Sequence, residues 1–218
     1  EMDLFDLVIV DEASQCDIAS ILPLIQRAKK CVICGDPNQL SHISFLSRSK
    51  QLELARKNQL ETDDFNYRDE SVLDLSLARA RSSSEVIFLD EHYRSHPSII
   101  HFSNQHFYSN GLKVMTWKPT LSKNDGLFHI SIEGQQTSSG VNKEEADRIL
   151  EDLHEHFSNG TEHTVGIVSP FRNQVEYLKK AAYKAFGAAQ FEQFDLLIGT
   201  PYEFQGNERD VMHLSFAL

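Results

Sequence analysis

The stretch that most constrains the fold lies near the start of the chain, at residues 7–15, Leu-Val-Ile-Val-Asp-Glu-Ala-Ser-Gln. Its first four residues are apolar, and three of them are β-branched, which is typical of a short strand that is buried on both faces. Strands of this kind belong to parallel sheets that are covered by helices. The stretch therefore predicts an α/β protein.

Two acids, Asp11 and Glu12, follow this strand directly. Ligands of open α/β sheets lie at the carboxyl ends of the strands, so both carboxylates are expected beside a bound group. This is the logic of a Walker B motif, in which the first acid holds Mg²⁺ on the phosphates of a nucleotide and the second activates the attacking water. The same residues also fit a buried strand that runs into an acidic helix N-terminus, where carboxylates are favourable without a ligand.

Composition limits the class of protein. With 218 residues and 40% hydrophobic residues, the chain is expected to form one or two globular domains. A membrane span and a signal peptide are not predicted, because the chain has no run of about 18 apolar residues and no basic-then-apolar leader. The formal net charge of −11 is opposite to that of a dedicated nucleic-acid binder, so any strand contact is expected to be local or supplied by other domains.

Three cysteines, Cys16, Cys31 and Cys34, form an odd set that predicts no disulfide framework and suits a reducing, cytoplasmic location. Cys31 and Cys34 have Cys-x-x-Cys spacing, but residues three apart in a strand point to opposite faces, which disfavours a metal or redox site. His92 and His96 are also disfavoured as metal ligands, because the proline after His96 opposes the helix that would align them.

Hydrophobic periodicity and turn residues predict the order of elements. Helices are predicted over 17–28, 44–59, 70–80, 98–107, 142–157 and 172–186, and further strands over 31–34, 86–89, 127–132, 165–168, 196–200 and 211–218. A serine-rich segment at 79–84 predicts a boundary between domains 1–84 and 85–218. The alternation of strands and helices after this boundary predicts a second parallel sheet.

Polar segments follow several of these strands, and each has two interpretations. The amides of Gly-Asp-Pro-Asn-Gln-Leu, at 35–40, can hold phosphate oxygens or form an ordinary turn. Arg94 is either a surface charge or a phosphate ligand. Ser-Pro-Phe-Arg, at 169–172, can grip a single strand by stacking and phosphate contact, although a helix that starts at Ser-Pro has the same letters.

In order and spacing, four segments resemble motifs of the superfamily 1 helicases, in the branch of the nonsense-mediated-decay helicase. VDEASQ at 10–15 resembles motif II, GDPNQL at 35–40 motif III, HYRSHP at 92–97 motif IV and GTPYEFQGNERDV at 199–211 motif V. The resemblance covers nearly the whole chain. It implies two RecA-like domains of the P-loop NTPase class, with parallel sheets that carry helices on both faces. It also implies ATP and Mg²⁺ as cofactors and single-stranded DNA or RNA as partner.

The resemblance implies four catalytic residues. Asp11 would coordinate Mg²⁺ and Glu12 would activate water. Gln39 would sense the γ-phosphate, for which its amide is suited. Arg94 would reach across from the second domain as an arginine finger, and its planar guanidinium suits a phosphate.

The resemblance further implies binding residues in motifs IV and V. Tyr93 would stack on the base, Gln205 and Gly206 would lie beside the nucleotide, and Glu208 would accept from the ribose hydroxyls. With a weaker match, three residues would face the nucleic-acid strand, namely Ser169, Pro170 and Thr200. The residues before Phe-Gln-Gly, Thr-Pro-Tyr-Glu, depart from the usual phrase of the family.

Two family segments do not occur in this sequence, the phosphate-binding loop Gly-x-x-x-x-Gly-Lys-Ser/Thr and the arginine-bearing motif after motif V. The chain also starts at Glu1, close to a core strand, so we expect a fragment of an ATP-driven helicase or translocase that is inactive alone. One alternative is a RecA-like scaffold that binds a partner and leaves its nucleotide site unused. Another is an ATPase that remodels protein–nucleic-acid complexes without unwinding.

Overall fold

The computed structural model describes residues 3–60, 66–116, 126–160 and 162–218. The chain divides into two compact units, residues 1–128 and residues 129–218. The boundary predicted after residue 84 falls inside the first unit and, as a division between helicase domains, stays a prediction. None of the helices that the structure describes is long and apolar enough to cross a membrane.

The first unit begins with β1 (Val8–Val10), α1 (Ile18–Ile25) and β2 (Cys31–Ile33). β1 and β2 pair in parallel, with Val10 opposite Ile33. Asp17 caps α1, because its carboxylate accepts from the backbone N–H of Ser20 at 2.9 Å. The sequence prediction of a parallel α/β arrangement at this point is therefore confirmed.

β1 is buried on one face only, so the prediction of burial on both faces is wrong. Val10 is buried with Ala13 and Leu73, whereas 63% of the surface of Ile9 is exposed. Side chains alternate along a strand, and the buried cluster forms on the face that carries Val10. An apolar run cannot indicate how many faces of its strand are covered.

The first unit continues with α2 (Arg48–Lys57), α3 (Val72–Arg79), a 3₁₀ helix (Ser83–Glu85), β3 (Glu91–His92), α4 (Pro97–Phe107) and β4 (Lys113–Val114). β3 and β4 pair in parallel. Ser71 and Asp74 form a capping box at the start of α3, and Pro97 occupies the first turn of α4, where its missing N–H costs nothing.

Two predicted strands do not form. Residues 86–89 pair with no strand in the part of the chain that the structure describes, Ile87 and Leu89 are more than four-fifths exposed, and the local strand β3 begins only at Glu91. Residues 127–132, which cross the boundary between the two units, likewise pair with none of the other described residues. A strand requires a neighbour for its backbone hydrogen bonds, and an apolar run does not supply one.

The second unit contains α5 (Lys143–Ser158), β5 (Val165–Val168), α6 (Arg172–Gln193), β6 (Leu197–Gly199) and β7 (Val211–Leu214). Its strands form one parallel sheet in the order β6-β5-β7. The core of this unit is a cluster of ten buried residues, which are Ala146, Ile149, Leu153, Val165, Ile167, Val175, Leu178, Ala182, Leu196 and Ile198. The predicted end of α6 at residue 186 coincides with a break, because Gly187 has the non-helical angles φ +72° and ψ 175°, and a second helical segment then continues to Gln193.

Candidate active site

The turns after β1 and β2 lie at one edge of the first-unit sheet, because the two strands are parallel. Cys34 N donates to Val10 O at 2.7 Å, and Ala13 N donates to Cys34 O at 2.9 Å. Asp11 follows β1 directly, and Gln39 belongs to the loop that follows β2. The acids and the amide therefore occupy neighbouring turns at the same edge.

Gly35 allows these two turns to touch. A Cβ atom at this position would lie 3.2 Å from Ala13 N, 3.3 Å from Ser14 N and 3.1 Å from the Leu73 side chain. Two of these neighbours are backbone atoms, which cannot move aside as a flexible side chain can. Close packing against the turn after β1 therefore favours glycine over any larger residue at the first position of Gly-Asp-Pro-Asn-Gln-Leu.

The backbone of Glu12 has an unusual conformation, with φ +50°. This left-handed region costs a residue with a side chain about 1–2 kcal/mol, and such conformations cluster at functional sites. Glu12 N donates to Asp11 Oδ1 at 2.9 Å, and Gln15 Nε2 donates to Glu12 Oε2 at 3.3 Å. The turn therefore fixes both carboxylates. Nothing in the sequence marks this conformation.

The donor atoms at this edge fit Mg²⁺ on a nucleotide. In such sites Mg²⁺ keeps several waters and takes one or two carboxylates together with phosphate oxygens. Asp11 is exposed and offers hard oxygen donors. Within the described residues, no group of three or more His, Cys, Asp or Glu side chains could form an all-protein metal cage. The sheet edge that carries Asp11 therefore suits a Mg²⁺ ion that is already bound to the phosphates of a nucleotide.

The turn after β3 carries Tyr93 and Arg94, and both side chains are exposed. The hydroxyl of Tyr93 donates to Glu91, and this hydrogen bond raises the pKa of Tyr93. His92 Nε2 accepts from Ser95 N at 2.8 Å, which shapes the turn. Burial, and then the charge of Arg94, lower the pKa of His92, so its ring is neutral at pH 7 and can accept this bond.

In the second unit, the predicted strand-facing residues follow β5 and β6. Ser169 is fully buried, and its hydroxyl accepts from Phe171 N at 3.3 Å. Pro170 is exposed and Thr200 is half-buried. The backbone of Ser169 donates to Gly199 O at 3.1 Å, which ties the ends of the two strands together. Of the three, Pro170 has the most accessible surface and Ser169 has none.

The residues that depart from the usual motif V form a capped turn. Glu203 Oε2 accepts from Thr200 N at 2.7 Å, and Glu203 Oε1 accepts from Lys179 Nζ at 3.0 Å. The hydrogen bond from Thr200, followed by that from Lys179, lowers the pKa of Glu203. This turn is not among the predicted features, although Thr-x-x-Glu is a recognisable capping-box signal.

Gln205, Gly206 and Glu208 follow this turn. Gln205 is half-buried and Glu208 is exposed. Gly206 has φ +72°, and a Cβ atom there would meet no atom within 4 Å. Glycine is therefore needed for the backbone conformation of the turn itself, since the chain does not crowd this position.

Comparison with known proteins shows the family. Two family models, each described as an AAA domain, match residues 68–217 and residues 1–45. The chain is 31% identical to the helicase SEN1 of Saccharomyces cerevisiae, 27% to the ATP-dependent helicase MG140 homolog of Mycoplasma pneumoniae and 25% to the probable helicase senataxin of Homo sapiens. The matches cover 97%, 97% and 94% of the chain. The chain belongs to the superfamily 1 helicases. It spans 10%, 20% and 8% of the lengths of these relatives.

In this superfamily 1 helicase chain, the predicted site residues fall in both units. The four predicted catalytic residues and Tyr93 lie in the first unit, whereas the motif V residues Gln205, Gly206 and Glu208 lie in the second. Asp11, Glu12 and Gln39 share one edge of a sheet. The individual roles of these residues stay predictions.

Proposed function

We propose that the protein that carries this chain is an ATP-dependent helicase or translocase, which couples ATP hydrolysis to movement on a single strand of DNA or RNA. The observation that carries the proposal is the edge at which the turns of Asp11, Glu12 and Gln39 pack together, in a chain of helicase ancestry. The cytoplasmic location expected from the cysteines is part of the same proposal.

The two acids, Asp11 and Glu12, would have different roles at the reacting phosphate. Asp11 presents its exposed carboxylate to the metal ion. Mg²⁺, when bound, would offset the charge of the phosphate oxygens. Glu12 would orient the attacking water and accept its proton. Gln15 donates to one oxygen of Glu12, and the other oxygen is the one that would receive the water.

The remaining side chains would bind charge and base. Gln39 would donate its amide to the γ-phosphate, and Arg94 would stabilise the charge that develops during transfer. Tyr93 would stack on the base, and Glu208 would accept from the ribose. Gln205 and Gly206 would shape the adjoining turn.

The strand would be held locally, because the net charge of the chain is −11. Pro170 and Thr200 are the accessible candidates at the carboxyl ends of β5 and β6, while buried Ser169 would shape the turn that presents them. Movement would follow from changes in the chain's affinity for nucleotide and strand during the hydrolysis cycle.

The test is Glu12→Gln in the full-length protein, measured as nucleic-acid-stimulated ATP hydrolysis. This change keeps the shape of the side chain and removes the base, so kcat should fall by roughly 10²–10⁴-fold while ATP binding persists. Glu53→Gln is a matched control, because Glu53 lies on exposed α2 and pairs with Lys50 at 2.8 Å. A full-length protein that does not hydrolyse ATP, or a Glu12→Gln variant with normal kcat, would overturn the proposal.

A further inference from the structure

A tyrosine that matches none of the helicase motifs contacts the motif III loop. The hydroxyl of Tyr108 donates to Asp36 Oδ2 at 2.5 Å, across 72 residues of sequence. Asp36 is the second residue of Gly-Asp-Pro-Asn-Gln-Leu, and Tyr108 caps the C-terminus of α4. Both residues are half-buried.

The same carboxylate also holds Gln39. Gln39 Nε2 donates to Asp36 Oδ2 at 3.3 Å, so one oxygen atom accepts from both Tyr108 and Gln39. The other oxygen, Oδ1, accepts from Asn38 N at 2.9 Å, and Gln39 N donates to Asp36 O at 3.2 Å. Asp36 therefore sets both the shape of the loop and the direction of the Gln39 amide.

Tyr108 is itself held firmly by its surroundings. Asn104, which is buried, donates to Leu112 O at 3.1 Å and accepts from Leu112 N at 2.9 Å, which closes the loop after α4. Gly111 N donates to Tyr108 O at 2.7 Å, and a Cβ atom at Gly111 would lie 2.9 Å from that oxygen. These contacts hold the backbone at Tyr108 within the segment β3-α4-β4, which also carries Arg94.

We propose that Tyr108 is a positioning residue for Gln39. Through Asp36, it holds the amide in the orientation that the proposed function requires for contact with the γ-phosphate, and the inference rests on that proposed function. Without the hydroxyl, Asp36 loses the donor that comes from the end of α4, and the amide of Gln39 becomes free to turn away. Hydrolysis should suffer more than nucleotide binding, because the orientation of Gln39 matters most while the γ-phosphate is being transferred.

The chemistry of Tyr108 suits this role. Burial, and then the hydrogen bond to Asp36, raise the pKa of Tyr108 further above its ordinary value, which already lies well above neutral pH. The hydroxyl therefore keeps its proton at every pH at which the enzyme would work. It remains a donor to the carboxylate throughout the cycle.

The test is Tyr108→Phe in the full-length protein, with Gln39→Ala and the double variant completing a cycle. Tyr108→Phe should lower kcat for ATP about tenfold and change KM by less than about twofold, since it removes one hydrogen bond to a charged group. In the Gln39→Ala background, the same change should have no further effect on kcat. Tyr183→Phe is the control, because Tyr183 lies exposed on α6, in the second unit.

Three results separate the ideas. Normal kcat in Tyr108→Phe would overturn the inference and leave the proposed function intact. A fall in kcat of equal size with and without Gln39 would show that Tyr108 supports the fold in general, and would also overturn the inference. A wild-type protein that does not hydrolyse ATP would overturn the proposed function, and the inference with it.

Discussion

The two units of the chain are stabilised in different ways. The second unit, residues 129–218, surrounds a continuous cluster of ten buried residues with two long helices and a three-stranded sheet. In the first unit, the buried cluster under β1 consists of Val10, Ala13 and Leu73, and the turns are held by hydrogen bonds and by the glycine contact at Gly35. This difference indicates that core packing stabilises the second unit, whereas the first unit carries the proposed catalytic side chains on a thinly packed edge.

The largest expected effect is that substitution of an exposed site residue in the first unit lowers the rate of catalysis and changes stability little. Arg94 is exposed in the first unit, so Arg94→Ala should barely lower the melting temperature. If it is an arginine finger, kcat of the full-length protein should fall by roughly 10³-fold or more, with a much smaller change in ATP affinity. Single-turnover hydrolysis and thermal melting of the same variant measure both effects.

Arg56→Ala is the matched control for this experiment, because Arg56 is an exposed arginine in the last turn of α2. It should leave both hydrolysis and melting unchanged. A lower melting temperature for Arg94→Ala, together with near-normal turnover per folded molecule, would remove Arg94 from the catalytic residues and weaken the motif IV assignment.

The second effect is on stability, and it should differ between the units. Leu153 is fully buried in the ten-residue cluster, whereas Leu73 belongs to the smaller cluster under β1. Leu153→Ala should cost about 4 kcal/mol, near the upper end for leucine truncation, because the well-packed site cannot collapse. Leu73→Ala should cost about 2 kcal/mol, because a thinly packed site relaxes around the cavity.

Amide hydrogen exchange, followed separately in each unit, measures these losses without assuming that both units unfold together. Leu153→Ala should accelerate exchange in β5 and α6, and Leu73→Ala in β1 and α3. Equal losses for the two leucines would contradict the proposed difference in packing.

The sequence predicts the core of the second unit closely, although the strand predicted over 127–132, most of which lies in this unit, does not form among the described residues. α5 and β5 match their predicted ranges closely, because the apolar faces that define their periods are the faces that the structure buries. In the first unit, residues 86–89 form an apolar run but pair with no strand among the described residues, since pairing depends on a neighbour. The apolar run at 7–10 likewise predicts burial of Ile9, but Ile9 is exposed, because an apolar run does not show which faces of its strand are covered.

The candidate site could be predicted only in part. Asp11, Glu12 and Gln39 could be placed at one edge, because the carboxyl ends of parallel strands meet. The bond between Tyr108 and Asp36 could not, because it joins residues 72 positions apart and depends on how α4 packs. The positive φ of Glu12 also could not be predicted from the sequence, since glutamate is not a residue that favours positive φ.

The smallest effect concerns the φ of +50° at Glu12, and it tests whether the edge that carries the proposed catalytic residues is strained. Glu12→Gly removes the side chain that makes φ +50° unfavourable, at the expense of a more flexible unfolded chain. The net result should be a gain of about 0.5–1 kcal/mol in the free energy of unfolding, together with loss of ATP hydrolysis. Glu12→Gln should lose hydrolysis without the gain in stability, because it keeps a side chain at this φ.

Gln59→Gly is the control for relief of an unfavourable backbone φ alone, because Gln59 has φ +56° just after α2, away from the acids. This variant should gain stability and keep normal turnover. Chemical denaturation of the three variants would contradict the idea of a strained edge if Gln59→Gly gained stability and Glu12→Gly lost it.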